Sequence, residues 1–275
     1  RKVLQMLSDA RDRGVTIDCD VYPYTAASNP LRNLMPSWLQ EGGIEGTLAR
    51  LANPDDRARL RREVDAEGLN NFGRIPSWDA VRISISPNLP QYAGRTMASI
   101  AEEKGIDGFD AALDYIRDDS GQTRVLVESI SEDDVQDFVR STEVMVGSDG
   151  NSVAPEGTTG QGRPHPRFYG TFAKVLGHYS RDLGLLPLHD AVYKMTGASA
   201  KALGLRDRGL LKQGFRADIT LFDPTTIAER ATYEDPHQFA AGIDTVLVNG
   251  VATLQGGDHT GALAGRTLRR QTDFV

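Results

Sequence analysis

An aspartate closes the apolar run Glu143-Val144-Met145-Val146-Gly147-Ser148-Asp149-Gly150, and it is the first residue of this chain around which chemistry could be centred. The run reads as a buried strand, and Gly-Ser-Asp-Gly as a sharp exit, since glycine reaches backbone angles that other residues resist. In parallel sheets the C-terminal tips of the strands face the open mouth, so Asp149 stands where a carboxylate can serve as a general base or one metal ligand. Side-chain alternation predicts that Met145 and Asp149 share a face. A hairpin turn is the competing reading of Asp-Gly. Residues 151–167 weigh against it: they form a long Gly/Pro-rich loop, as an active-site lid does, and not a short partner strand.

Arg167 follows the rigid Pro164-His165-Pro166 segment. Its planar fork suits bidentate capture of a carboxylate, and a structural salt bridge is the alternative; the spacing leaves both open. Tyr22 ends the alternating stretch Val15–Tyr22, whose apolar positions 15, 17, 19 and 21 would meet covering helices while Asp20 and Tyr22 approach a barrel's mouth. A tyrosine packed at a strand end with its hydroxyl in water is the plainer reading. Ser28 lies in Pro23–Pro30, read as a loop, where a serine either forms a local turn or bonds a ligand. The five histidines, His165, His178, His189, His237 and His259, include no HxH or HExxH pair, so this chain by itself assembles no conventional zinc site. There is no Gly-x-Ser-x-Gly elbow, and Gly157–Gly162 lacks the lysine of a phosphate loop.

These side chains require a frame. Val3, Leu4, Met6, Leu7 and Ala10 share a helical face that Gly14 ends; the chain opens at Arg1 with no cap, as a piece of a longer polypeptide would. Residues 31–79 read as an inserted helical segment, with Pro54 starting a helix whose arginines 57, 59, 61 and 62 are balanced by nearby acids on a solvated face. Val81–Ile85 and Arg124–Glu128 are strand candidates, separated by helices over 96–104 and 107–118 that break at Gly105. Ser131 opens a capped helix that buries Val135, Phe138 and Val139 and leads into the Asp149 strand. Beyond the loop, Phe172, Val175, Leu176 and Tyr179 form one helical face, and Leu188, Val192 and Met195 another. From Gly209 the pattern turns to strands, 217–224 and 245–254, the latter with an Asn249-Gly250 hairpin, which makes a small β domain.

Composition bounds the function. The 275 residues carry a net charge of −7 with no concentrated basic stretch, which argues against nucleic acid as a partner. No apolar run approaches the ~20 residues of a membrane span. The single cysteine, Cys19, excludes an internal disulfide framework and fits a reducing cytoplasm.

Five motifs in order carry a resemblance: Asp18-x-Asp20-x-Tyr22-Pro23-Tyr24-Thr25-Ala26; Gly147-Ser148-Asp149-Gly150; Pro164-His165-Pro166-Arg167-x-Tyr169-Gly170-Thr171-Phe172; Gly209-x-Leu211-x-x-Gly214-x-x-Ala217-Asp218-Ile219; and Val248-Asn249-Gly250. Together they resemble the C-terminal part of N-acyl-D-amino-acid deacylases (D-aminoacylases) of the amidohydrolase superfamily. The resemblance implies an α/β fold: the C-terminal part of a (β/α)8 TIM-like metallo-hydrolase barrel over 1–208, with an insertion at about 30–124, followed by a β-sandwich over 209–275. Val15–Tyr22 and Glu143–Gly147 would be its seventh and eighth strands. It further implies Asp149 as general acid/base and metal donor, Arg167 on the substrate α-carboxylate, Tyr22 on that carboxylate or the developing oxyanion, and Ser28 assisting. One or two zinc ions would be held mostly by histidines and a bridging ligand that would lie before Arg1, in a missing N-terminal segment. Two features depart from the family: Ala27-Ser28-Asn29 replaces a more usual Gly-Ser-Thr, and the segment from Asp149 to Arg167 is longer than in some members. The competing functions are a related amidohydrolase acting on a cyclic amide or D-peptide, and a non-catalytic assembly module without the metal ligands.

Overall fold

A computed structural model describes residues 2–274. Helix α1 (Lys2–Asp12) ends at Gly14, whose φ of 80° only glycine adopts freely. The chain then runs extended, but regular pairing is confined to β1 (Asp20–Val21). The strand expected over Val15–Tyr22 is therefore corrected to its last part. A ladder exists only where a neighbour accepts its hydrogen bonds, and the one described neighbour reaches no further back; Val15, assigned to a covered face, is 49% exposed.

The loop expected over Pro23–Pro30 is also corrected, because Ala26–Pro30 forms strand β2. Small and turn-forming residues gave no local strand signal; pairing with a strongly apolar partner overrides that preference. The partner closes a module made of α2 (Gly43–Ala52), α3 (Pro54–Glu67), β3 (Val81–Ile85), α4 (Met97–Lys104), α5 (Gly108–Asp118) and β4 (Arg124–Glu128). The antiparallel sheet has the order β2-β4-β3. Pro54 begins α3 behind Asn53, whose side chain accepts the Asp55 N–H at 2.9 Å. Leu31, Leu34, Met35, Leu51, Leu60, Ile100, Leu113, Val125 and Val127 form the module's own core. The arginines of α3 do more than face solvent. Arg57 reaches Asp110 and Asp114 of α5, and Arg61 reaches Asp107 and Asp110 while covering the Phe109 ring at 4.4 Å. Arg59 pairs within its helix, with Glu63.

Helix α6 (Glu132–Arg140) is capped by Ser131, which accepts the Asp134 N–H at 3.1 Å. It leads to β5 (Met145–Val146), parallel to β1 with Asp20 opposite Met145. Met145 N–H donates to Cys19 and Gly147 N–H to Val21, at 2.8 and 3.1 Å. The strand is shorter than the Glu143–Gly147 expected because its ladder, too, has one described side.

After the long loop come α7 (Arg167–Lys174), a π-helical continuation over Val175–Asp182, α8 (Leu188–Met195) and α9 (Gly197–Leu203). Phe172, assigned to the buried face with Val175, Leu176 and Tyr179, is instead 47% exposed. The change to wider winding at Val175 offsets the face by part of a turn. Buried Lys194 of α8 donates to the carbonyls of Val139 and Ser141, which ties the C-terminal end of α6 and the entry to β5 to the helical layer. Finally β6 (Ile219–Phe222), β7 (Ile243–Val248), β8 (Val251–Gln255) and β9 (Asp258–His259) make one antiparallel sheet in chain order, followed by the short helix α10 (Arg270–Asp273). Asn249 and Gly250, with φ of 50° and 83°, form the hairpin turn that their types foretell. Ile227, between β6 and β7, packs with Val135, Val146, Val175 and Tyr179 in a second core. No described helix is long and apolar enough to cross a membrane.

Candidate active site

Asp149 leaves β5 through Gly147 and Ser148, and itself takes φ 45°, a left-handed conformation that Asp tolerates better than most residues. The alternation that would align it with Met145 is broken by this turn. Gly147 lets the Asp20 carboxylate approach closely: a Cβ there would lie 1.9 Å from it in its present rotamer. The result is a carboxylate 70% exposed at the C-terminal end of the parallel β1–β5 pair.

Arg167 meets it. Its Nη2 lies 2.6 Å from Asp149 Oδ2, and its Nε donates to the Asp149 carbonyl at 3.0 Å. The guanidinium sits 4.8 Å from the centre of the Tyr22 ring, a cation–π contact, and only 4% of the side chain is exposed. Burial raises the Tyr22 hydroxyl pKa, an effect that the charge of Arg167 opposes. Tyr22, Asp149 and Arg167 are thus brought together directly.

Ser28 joins them through another residue. Its Oγ accepts from Arg124 Nη2 at 3.4 Å. In the β2–β4 ladder Pro30 stands opposite Arg124 and Ser28 opposite Leu126, so these four share a face, while Val125 and Val127 point into the insertion's core. The ordinary pKa of Arg124 is lowered first by burial and then by the charge of Arg167, and Asp149 acts in the opposite sense.

Beneath Arg167 the support is polar and closed. His165, fully buried, lies with its Nε2 2.9 Å from the Ala26 carbonyl and its Nδ1 3.0 Å from the Arg167 backbone nitrogen. Since that N–H can only donate, the ring is the neutral tautomer carrying its proton on Nε2. Burial pushes its pKa down to about 3. Tyr22, Tyr24 and Tyr233 set their rings edgewise around it. The Tyr24 hydroxyl donates to Glu229, which also pairs with Lys174 at 3.5 Å. The segment between β6 and β7 therefore reaches the underside of the site.

Arg124, His165, Tyr24, Lys174 and Glu229 were not singled out as site residues from sequence. A charge at the head of an apolar strand and a histidine held between two prolines were the available signals; for Glu229, 205 residues from Tyr24, there was none. Of the other histidines, His189 is mostly exposed, and His237 meets Tyr169 and the Gly162 carbonyl. Among the described residues no group of three or more His, Cys, Asp or Glu could hold a metal ion. These residues do not by themselves fit a metal centre; Asp149 is an exposed single donor.

Residues 93–253 match the amidohydrolase family. The chain belongs to that family. It is 43% identical to a D-aminoacylase of Alcaligenes xylosoxydans xylosoxydans over 181 residues, which are 66% of this chain and 35% of that protein. A D-aminoacylase structure described with a binuclear metal centre superposes with a TM-score of 0.72 at 34% identity, over 98% of this chain and 46% of that one. An N-acyl-D-glutamate deacylase from Bordetella bronchiseptica, solved with zinc and a phosphonate mimic of the tetrahedral intermediate, gives 0.69 at 30% identity, over 92% and 43%. The chain thus spans less than half the length of these relatives.

Proposed function

We propose that this chain is the C-terminal portion of a metal-dependent deacylase that hydrolyses N-acyl-D-amino acids to a carboxylate and a D-amino acid. The observation that carries the reading is the Asp149–Arg167 pair over the Tyr22 ring, at the C-terminal ends of two parallel strands. It supports the reading because a carboxylate able to act as a base and a guanidinium able to receive a carboxylate lie within one small substrate's reach. The relatives' names and the share of their length that this chain covers support the same reading.

In the substrate-free arrangement the Asp149 carboxylate occupies Nη2 of Arg167. A substrate α-carboxylate takes that place like for like, so the buried guanidinium keeps an anion and avoids the cost of an unpaired buried charge. Nε stays on the Asp149 carbonyl and holds the turn. Tyr22 donates to the α-carboxylate or to the oxyanion that develops on the amide oxygen, with Ser28 assisting. The released Asp149 carboxylate takes a proton from the attacking water and delivers it to the amide nitrogen as the C–N bond breaks.

One or two zinc ions are assigned to donors in the remainder of the polypeptide, with Asp149 as the donor from this chain; such an ion, when bound, polarises a carbonyl and acidifies water. Residues 1–208 are assigned to the barrel, with β1 and β5 as its seventh and eighth strands and the insertion at about 30–124, and residues 209–275 to a β-sandwich. The separate core of the 31–127 region supports the insertion. A cytoplasmic location is supported by the lone cysteine.

In the full-length protein, Arg167→Met raises KM for N-acetyl-D-leucine by roughly 10- to 100-fold, the equivalent of one or two charge-assisted hydrogen bonds. Arg167→Lys recovers part of the loss. An unchanged KM in both variants removes Arg167 from substrate binding.

A further inference from the structure

Arg167 already has an anion, and among the described residues Arg124 has none. Among the described residues no carboxylate lies within ion-pair distance of Arg124, which donates to the Ser28 hydroxyl at the long distance of 3.4 Å. A guanidinium presents five N–H donors and stays charged at any working pH, so a half-buried one with a single long bond is left with most of its donors unmet by protein. The β2–β4 ladder fixes where it stands: Val125 and Val127 point into the insertion's core, which turns Arg124 and Ser28 to the opposite face. Ala26, two residues from Ser28 on that face, holds His165, and His165 in turn holds the backbone of Arg167. The charges that act on Arg124 are those of Arg167, Asp149 and Arg32, three cations counting itself against one carboxylate. Arg32 also has no carboxylate partner among the described residues; it donates to the Gly121 carbonyl. In a chain of net charge −7 this is a local excess of positive charge at the site.

We propose that Arg124 forms a second anion subsite beside Arg167, so that the preferred substrate carries a carboxylate in addition to its α-carboxylate. The inference rests on the deacylase reading and narrows it to dianionic substrates. Two parts of an N-acyl-D-amino acid can supply the second carboxylate: an acidic D-side chain, as in N-acetyl-D-glutamate or N-acetyl-D-aspartate, or a dicarboxylic acyl group, as in N-succinyl-D-leucine. Both present the same planar anion to the same fork, and the guanidinium gives preference by leaving a half-buried cation unpaired when the substrate lacks it.

The test compares kcat/KM of the full-length metal-loaded protein for N-acetyl-D-glutamate, N-acetyl-D-aspartate, N-succinyl-D-leucine and N-acetyl-D-leucine, in wild type, Arg124→Met and Arg124→Lys, with thermal unfolding as the check on folding. The expected result is that wild type prefers at least one dianionic substrate over N-acetyl-D-leucine. That preference ratio falls roughly 10- to 100-fold in Arg124→Met, mainly through KM, and is partly restored in Arg124→Lys. Preference for the glutamate and aspartate compounds places the second anion on the side chain; preference for the succinyl compound places it on the acyl group. A wild type that favours N-acetyl-D-leucine, or a ratio that Arg124→Met leaves unmoved, overturns the subsite. If no N-acyl-D-amino acid is hydrolysed, the deacylase reading fails, and calorimetric titration with N-acetyl-D-glutamate decides the subsite separately. Binding weakened at least tenfold by Arg124→Met supports it, and equal binding overturns it.

Discussion

His165 shows how a residue without a chemical role at the substrate can still govern the one beside it. Its ring accepts the Arg167 backbone N–H through Nδ1, which only the neutral Nε2–H form can do, and burial holds that form down to a pKa of about 3. An unfolded chain protonates the same histidine near 6.5. The sign follows directly: the native pKa is depressed, so the stability that this residue contributes is complete above pH 6.5 and is lost as pH falls toward 3. The loss is up to about 1.4 kcal/mol per pH unit, because the unfolded chain takes a proton that the native chain refuses. In isotope-labelled protein the His165 nitrogens are expected to keep the signature of the neutral Nε2–H tautomer at pH 5. A His165 already protonated at pH 5 would remove the clamp on Arg167. At this scale Tyr22, Asp149 and Arg167 were legible in the sequence because each stands next to a strong backbone constraint: a strand end, a Gly-flanked turn, a Pro-His-Pro segment. Arg124 was not, since its meaning comes from a ladder register that no local pattern encodes.

The elements divide according to how much of their conformation is local. Helix α3 was readable from Pro54, and the break between α4 and α5 from Gly105, because proline and glycine act on their own backbone. Asn53→Ala is expected to lower stability by about 1 kcal/mol, the usual worth of an N-cap, with the unfolding midpoint in urea as the measure. Strand β2 was hidden, because Ala-Ala-Ser-Asn-Pro becomes a strand only against Arg124–Glu128. The reverse held for Val15–Tyr22, where alternation was real but pairing reached only Asp20 and Val21. The turn after β5 is a tighter case. Gly147→Ala drives a methyl into the Asp20 carboxylate, so that the Asp20 side chain must turn away or the Asp149 turn must shift. The expected outcome is a loss of turnover in the full-length protein larger than the loss in thermal stability would explain. A fully active Gly147→Ala would show that the close approach of Asp20 and Gly147 has no part in placing Asp149.

On the scale of the whole molecule, two cores share the burial. One is confined to Leu31–Val127, and the other joins α6, β5, α7 and Ile227 of the C-terminal region. The first explains how a long helical module can interrupt the chain between β1 and β5 without disturbing their register. The second, together with the Tyr24–Glu229–Lys174 contacts, ties the C-terminal sheet's connection to the floor of the site. The site itself is open on one side: an exposed carboxylate faces outward, and the described residues do not form a metal centre. The most direct measurement is therefore made on the full-length protein loaded with zinc: kcat for the D and L forms of an N-acetyl amino acid, in wild type and in Asp149→Asn. The account predicts hydrolysis of the D form only, and a fall in kcat of at least about 100-fold in Asp149→Asn, the range of a lost general base, with KM little changed. Asp149→Asn turning over at the wild-type rate would contradict it.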